Sequence, residues 1–155
     1  MRLLIDGDAC PDRQKVIELA CQYHVDAFLF ADYAHIIDDE RIHVVSCDVG
    51  KDSVDQQIVA FVQPGDFVIT QDYGLAGLCL MKDAMVLHVS GKRITENNMN
   101  NLLESRYLGY ISRKNDKHIK GPKKRSKRER SFFLREVEKV LIDWTIAQND
   151  ICKNK

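Results

Sequence analysis

Residues 1–11 read MRLLIDGDACP, and this stretch decides the fold class. Leu3, Leu4 and Ile5 are consecutive instead of alternating with polar residues. That is the pattern of a strand covered on both faces, as in a parallel sheet. Asp6-Gly7-Asp8 follows at once, and then Pro11. Proline suits the first turn of a helix, where a backbone N–H would have no partner. A buried strand that ends on acids and hands over to a helix is the opening unit of an α/β domain.

The same alternation continues outward. Residues 26–31 (DAFLFA), 43–47 (HVVSC), 67–70 (FVIT) and 85–89 (MVLHV) are further short apolar runs. Between them the apolar residues fall at helical spacing: Val16, Leu19, Ala20 and Tyr23; then Val54, Ile58, Phe61 and Val62. Ser53 stands where it can cap the second of these helices, and Pro64-Gly65 breaks it. A short helix is expected over 75–81, and Thr95 caps another that carries Met99, Leu102 and Leu103. Ser126 and Glu129 have capping-box spacing. They open a helix predicted over 127–148, whose stripe is Phe133, Val137, Val140, Leu141 and Trp144. The expectation is one three-layer α/β domain over 1–155: a mostly parallel sheet of about five strands with helices on both faces.

Composition narrows the class. The chain is 45% hydrophobic and 30% charged, ordinary for a globular protein, and no apolar run approaches the roughly 20 residues that span a bilayer. The first acid comes at residue 6, so no signal-peptide core precedes it. Five cysteines, odd in number and with no CxxC pair, indicate neither a disulfide frame nor a zinc knuckle. Reduced thiols and a cytoplasmic location are expected. The net charge of zero hides an asymmetry: residues 1–112 carry a net −8, residues 113–130 (RKNDKHIKGPKKRSKRER) a net +8, and residues 131–155 balance. An acidic body beside one basic segment fits a metal site next to an anion-binding surface.

In open α/β sheets ligands bind beyond the carboxyl ends of the strands, and the aspartates fall there. Asp6 and Asp8 close the first strand, Asp32 the second, Asp48 the third and Asp72 the fourth; Asp52 and Asp55 begin the helix after the third. Crowded like charges need a cation among them, and all-oxygen ligands select Mg²⁺ or Mn²⁺. Asp-Gly-Asp also suits a tight turn, but two acids just past a buried strand favour chemistry. In extended geometry Asp6 and Asp8 point to the same side. Asp72 is read for the site over a plain helix N-cap. Asp55 is balanced between site and helix-dipole partner. Asp52 reads as a cap and Asp32 as a turn residue. His24, His35 and His43 read as solvated, His88 as a satisfied interior residue, and Cys10 as a small buried thiol.

Dense Lys and Arg give salt-dependent, sequence-independent contact with phosphates. Lys120, Lys123, Lys124, Arg125, Lys127 and Arg128 are therefore expected to meet nucleic acid, and Tyr73, Tyr107 and Tyr110 are residues on which unpaired bases can stack.

IDGDACP at 5–11, SVDQQIV at 53–59, TQDYGLA at 70–76 and HIKGP at 118–122 resemble the YaiI/YqxD family of uncharacterised bacterial proteins, over residues 1 to about 145. That family is grouped with PIN-like domains, which are metal-dependent α/β nucleases. The resemblance implies a PIN-like fold, with Asp6 as the first-strand metal ligand, Asp55 at the mid-chain acidic place and Asp72 at the later one. Many PIN nucleases have Glu at the mid-chain place; Asp55 is one methylene shorter.

Three functions compete. In the first, Asp6, Asp8, Asp55 and Asp72 hold Mg²⁺ or Mn²⁺ and the protein hydrolyses phosphodiester bonds of RNA or DNA. In the second, Asp6 is the nucleophile of a haloacid-dehalogenase-type phosphatase; that family wants Thr or Val where Cys10 stands. In the third, the same groups bind metal and nucleic acid without catalysis.

Overall fold

The computed structural model describes residues 1–32, 39–48, 50, 52–115 and 124–153. The chain runs β1 (Leu3–Asp6), α1 (Arg13–Gln22), β2 (Ala27–Asp32), β3 (His43–Cys47), α2 (Ser53–Phe61), β4 (Phe67–Thr70), α3 (Tyr73–Leu80), β5 (Met85–His88), β6 (Arg93–Ile94), α4 (Glu96–Asn115) and α5 (Lys127–Lys153). The sheet order is β3-β2-β1-β4-β5-β6. All neighbours are parallel except β5 and β6.

β1 lies mid-sheet, paired with β2 through Leu3↔Ala27 and with β4 through Leu3↔Phe67. This explains its consecutive apolar residues, since both of its faces are covered. Leu3 and Ile5 join one core with Val16, Ile17 and Ala20 of α1 and Phe133, Val137 and Leu141 of α5. Leu4 joins the other with Val54 and Ile58 of α2 and Leu75, Ala76 and Cys79 of α3, against which Met99 and Leu102 of α4 pack. The three layers expected from the sequence are present.

Differences from the sequence reading are local. Among the described residues the sheet has six strands: β6 is two residues long and too short to carry a pattern. It is turned back by Gly91, whose φ of +85° favours glycine, and a side chain there would strike the Phe132 ring and the Phe133 backbone of α5. The short helix starts at Tyr73, two residues earlier than expected, and α5 runs to Lys153, beyond the expected end at 148. Asp52, with φ of 68°, takes the N-cap position of α2 without a side-chain cap bond. The Ser53 hydroxyl instead donates to the carbonyls of Asp48 and Gly50. The capping box forms as read: Ser126 N–H donates to Glu129 at 2.7 Å, and Glu129 N–H to Ser126 Oγ at 3.1 Å. Among the described residues no helix is long and apolar enough to cross a membrane.

Candidate active site

Strand alternation aims the first acid. Asp6 shares its face with Leu4, so its carboxylate points to the side covered by α2 and α3 and emerges at the carboxyl edge of the sheet. It is 4% exposed. The fully buried Thr70, at the end of β4, donates its hydroxyl to Asp6 Oδ2 at 2.7 Å. The same Thr70 oxygen accepts the Asp72 N–H at 3.0 Å, and Asp72 Oδ1 caps α3 by accepting the Leu75 N–H at 2.9 Å. One threonine thus links the first acid to the last. Asp72 is both the N-cap and a wall of the site. Gly74 matters beside it, because a Cβ there would stand 3.0 Å from Asp72 Oδ1.

Gly7 sets the turn after β1. Its N–H donates to the Phe30 carbonyl at 2.8 Å, and a Cβ on it would lie 2.7 Å from that oxygen. The chain can hug β2 only without a side chain. The expectation that Asp6 and Asp8 stand side by side in extended backbone is corrected here. Residues 7–9 form a turn, with Ala9 N–H on the Asp6 carbonyl at 3.2 Å, so Asp6 is buried while Asp8 is exposed. Both nevertheless line one cleft of about 950 Å³.

That cleft also takes in Asp32, Asp52, Asp55 and Asp72, so all four predicted site carboxylates share it with two residues that the sequence had suggested were a turn and a cap. Asp48 is outside its lining. Burial pushes the Asp6 carboxyl up from 3.8 to about 6, against the Thr70 hydrogen bond, with Asp55 and Asp8 adding repulsion. Asp55 is also raised, by burial first and then by Asp72 and Asp52. Among the described residues the charges that shift Asp6 and Asp55 are those of other carboxylates. The donor set is all oxygen and suits a hard divalent cation. Among the described residues no three His, Cys, Asp or Glu side chains are grouped tightly enough to hold an ion. The acids share a cleft without forming a closed ligand shell.

The sequence reading missed the other wall of the cleft. His88, Lys92 and Arg106 line it, from the end of β5, the β5–β6 turn and α4. The His88 ring stacks on Tyr73 with centroids 5.3 Å apart, and the Arg106 guanidinium lies 5.5 Å from the Tyr73 ring centre. Arg106, Leu102 and Ser105 stand at helical spacing on the cleft side of α4. No local signal marks residues so far apart in sequence as neighbours.

The basic segment divides. Lys120 and Lys123, with HIKGP, lie outside the described residues. Lys124, Lys127 and Arg128 are exposed. Arg125 turns inward: it pairs with the buried Asp12, donates to the Val89 carbonyl and lies 4.9 Å over the Phe133 ring. Arg130 pairs with the same Asp12 at 2.7 Å. None of Lys124, Arg125, Lys127 and Arg128 lines the cleft. Burial raises the Cys10 thiol to about 12, so it is an inert core group, as read.

The profile of the uncharacterised YaiI/YqxD family matches residues 4–143, nearly the whole chain and every cleft residue. The chain belongs to this family. A relative, the UPF0178 protein of Natranaerobius thermophilus, is 42% identical over 140 residues, covering 88% of this chain and 95% of its own. A UPF0178 protein of Bacillus cytotoxicus is 36% identical over 143 residues, covering 92% and 94%. Among solved structures, a mutant of Rae1 (YacP) from Bacillus subtilis resembles it with a TM-score of 0.45 at 16% identity, over 92% of this chain and 99% of that one. The bacterial relatives carry no assigned activity in their names, so the functional reading of this YaiI/YqxD chain rests on its cleft.

Proposed function

We propose that the protein is a metal-dependent nuclease that hydrolyses phosphodiester bonds in this cleft. The observation that supports this most is Asp6: a carboxylate 4% exposed, raised to about 6, and faced among the described residues by Asp55 and Asp8. A protein keeps such an arrangement where a cation or a proton is to be held. Asp6, Asp8, Asp55 and Asp72 would hold Mg²⁺ or Mn²⁺, which when bound supplies a water of lowered pKa and charge neutralisation at phosphate. Thr70 holds the Asp6 carboxylate in place and sets the start of α3, so Asp72 presents its acid at a fixed point. The exposed Asp8 and half-buried Asp55 remain in reach of solvent at the cleft mouth.

The phosphatase reading requires Asp6 as an open nucleophile, whereas its Oδ2 already accepts the Thr70 hydroxyl and the side chain is buried. The test is cleavage of labelled single-stranded RNA and DNA by purified protein with Mn²⁺. Cleavage should vanish with EDTA and in Asp6→Asn. Activity that persists in EDTA sinks the nuclease reading, and a phospho-aspartate trapped at Asp6 replaces it with the phosphatase.

A further inference from the structure

The carboxyl edge of the sheet carries a gradient of charge. Across the order β2, β1, β4, β5 it presents Asp32, Asp6, Asp72 and then His88. Lys92 and Arg106 extend the last position from the β5–β6 turn and α4. Among the described residues neither Lys92 nor Arg106 forms an ion pair with a carboxylate of the cleft. Arg106 faces the Tyr73 ring instead. His88 has a fixed proton. The Ser90 N–H donates to Nδ1 at 3.0 Å and Ser90 Oγ lies 2.8 Å from it, so the neutral ring carries its hydrogen on Nε2. Stacking on Tyr73 holds the ring plane. The result is one oriented N–H, one ammonium and one guanidinium on a single wall, with Ser105 beside them.

Of these donors, His88 is set two strands to one side of the first acid. Neighbouring strands are about 5 Å apart, so His88 on β5 stands about 10 Å from Asp6 on β1. One phosphate group cannot touch both. A chain with successive phosphates can.

We propose that His88, Lys92 and Arg106 form a phosphate-binding wall for a single-stranded oligonucleotide, holding its backbone to one side of the bond at the carboxylates. This rests on the nuclease reading for what happens at the acids, but not for the binding itself. It moves the main phosphate contact from the basic segment to the β5–α4 side of the cleft. It also makes a single mononucleotide a poor ligand.

The test is equilibrium binding of a short fluorescein-labelled single-stranded oligonucleotide to the full chain in EDTA, with RNA and DNA probes in parallel. Lys92→Ala and Arg106→Ala are exposed changes that leave the core intact. Each should weaken binding about tenfold and lower the slope of log K against log salt by about 0.7. His88→Gln, which keeps a terminal N–H donor, should bind better than His88→Phe. A labelled mononucleotide should bind the wild type far more weakly than the oligonucleotide. Unchanged affinity and salt slope in both cation variants overturns the wall, as does equal binding of the mononucleotide. The two readings fail separately. Binding lost in the wall variants, with no Mn²⁺-dependent cleavage by the wild type, upholds the wall and sinks the nuclease. Cleavage with KM unchanged in the wall variants does the reverse.

Discussion

Two buried aspartates stand at opposite ends of the same strand pair. Asp66, just before β4, is 3% exposed, and Asp6, at the end of β1, is 4% exposed. Arg2 meets Asp66 with Nη2 at 2.5 Å and Nε at 3.1 Å, and the Gln63 N–H adds a bond at 2.9 Å. Burial would raise the Asp66 carboxyl, but Arg2 and these N–H donors outweigh it and hold it below its ordinary value. At the other end Asp6 has one hydroxyl and several acids as neighbours, and its carboxyl rises. Similar burial gives opposite electrostatics. The difference separates the two edges: at the amino edge Arg2 balances the buried Asp66, while at the carboxyl edge the neighbours of Asp6 among the described residues are Thr70 and further acids, which is where the proposed chemistry belongs.

The largest expected effect breaks the comparison by function. Asp6→Asn should lower Mn²⁺-dependent cleavage at least about a thousandfold, several kcal/mol of transition-state stabilisation. Asp66→Asn should leave kcat within about twofold when assayed well below its melting temperature. Equal losses in the two variants would erase the functional contrast between the ends.

Stability should show the inverse. Asp66→Asn leaves the Arg2 guanidinium short of its counter-charge and should cost about 3 kcal/mol, read from the urea midpoint at neutral pH. Asp6→Asn keeps the Thr70 hydrogen bond and removes a repelled charge. The folded Asp6 carboxyl lies near 6, above its ordinary 3.8. Its contribution to stability is therefore complete below about pH 4 and is lost as pH rises through about 6. In EDTA at pH 8, Asp6→Asn should be more stable than wild type by up to about 3 kcal/mol, with the gap closing below about pH 4. Asp66 has the opposite sign: its contribution is present above the ordinary carboxylate range and fades in acid. Parallel pH profiles for the two variants would be the failing result.

A smaller effect sharpens the double role of Asp72. Asp72→Ala should lose about 1 kcal/mol of helix capping together with activity. Asp72→Asn retains a capping oxygen, so it should keep the stability and lose only activity; a stability loss equal to that of alanine would show that the charge, not the cap, holds α3. The smallest effect concerns the exposed cations outside the cleft. Replacing Lys124, Lys127 and Arg128 together by alanine should shift oligonucleotide affinity less than Arg106→Ala does, and a larger shift would return the main contact to the basic segment.

Much of this architecture was legible in the sequence because the physics is local. Leu3, Leu4 and Ile5 are consecutive since β1 is covered on both faces, and Ser126 and Glu129 form their capping box within one turn. The acids were legible because strand ends are where α/β sheets bind ligands, and all four predicted carboxylates do line one cleft. What escaped was set by long-range contact. Asp8 parts from Asp6 because Gly7 hugs the Phe30 carbonyl, a feature of β2 and not of the motif. Arg125 looked like its basic neighbours, yet its partner Asp12 is 113 residues away. His88, Lys92 and Arg106 become one wall only after β5, its turn and α4 have packed.

The Thr70 hydroxyl has a consequence for when the site exists. It bonds Asp6 across a separation of 64 residues and so ties it to Asp72, and that tie requires β1 and β4 to be paired in register. Closing so long a loop is a slow, entropically costly part of folding. A nascent or partly folded chain therefore carries the acids without their arrangement. Assembly of the cleft is then an all-or-none report that the centre of the sheet has formed.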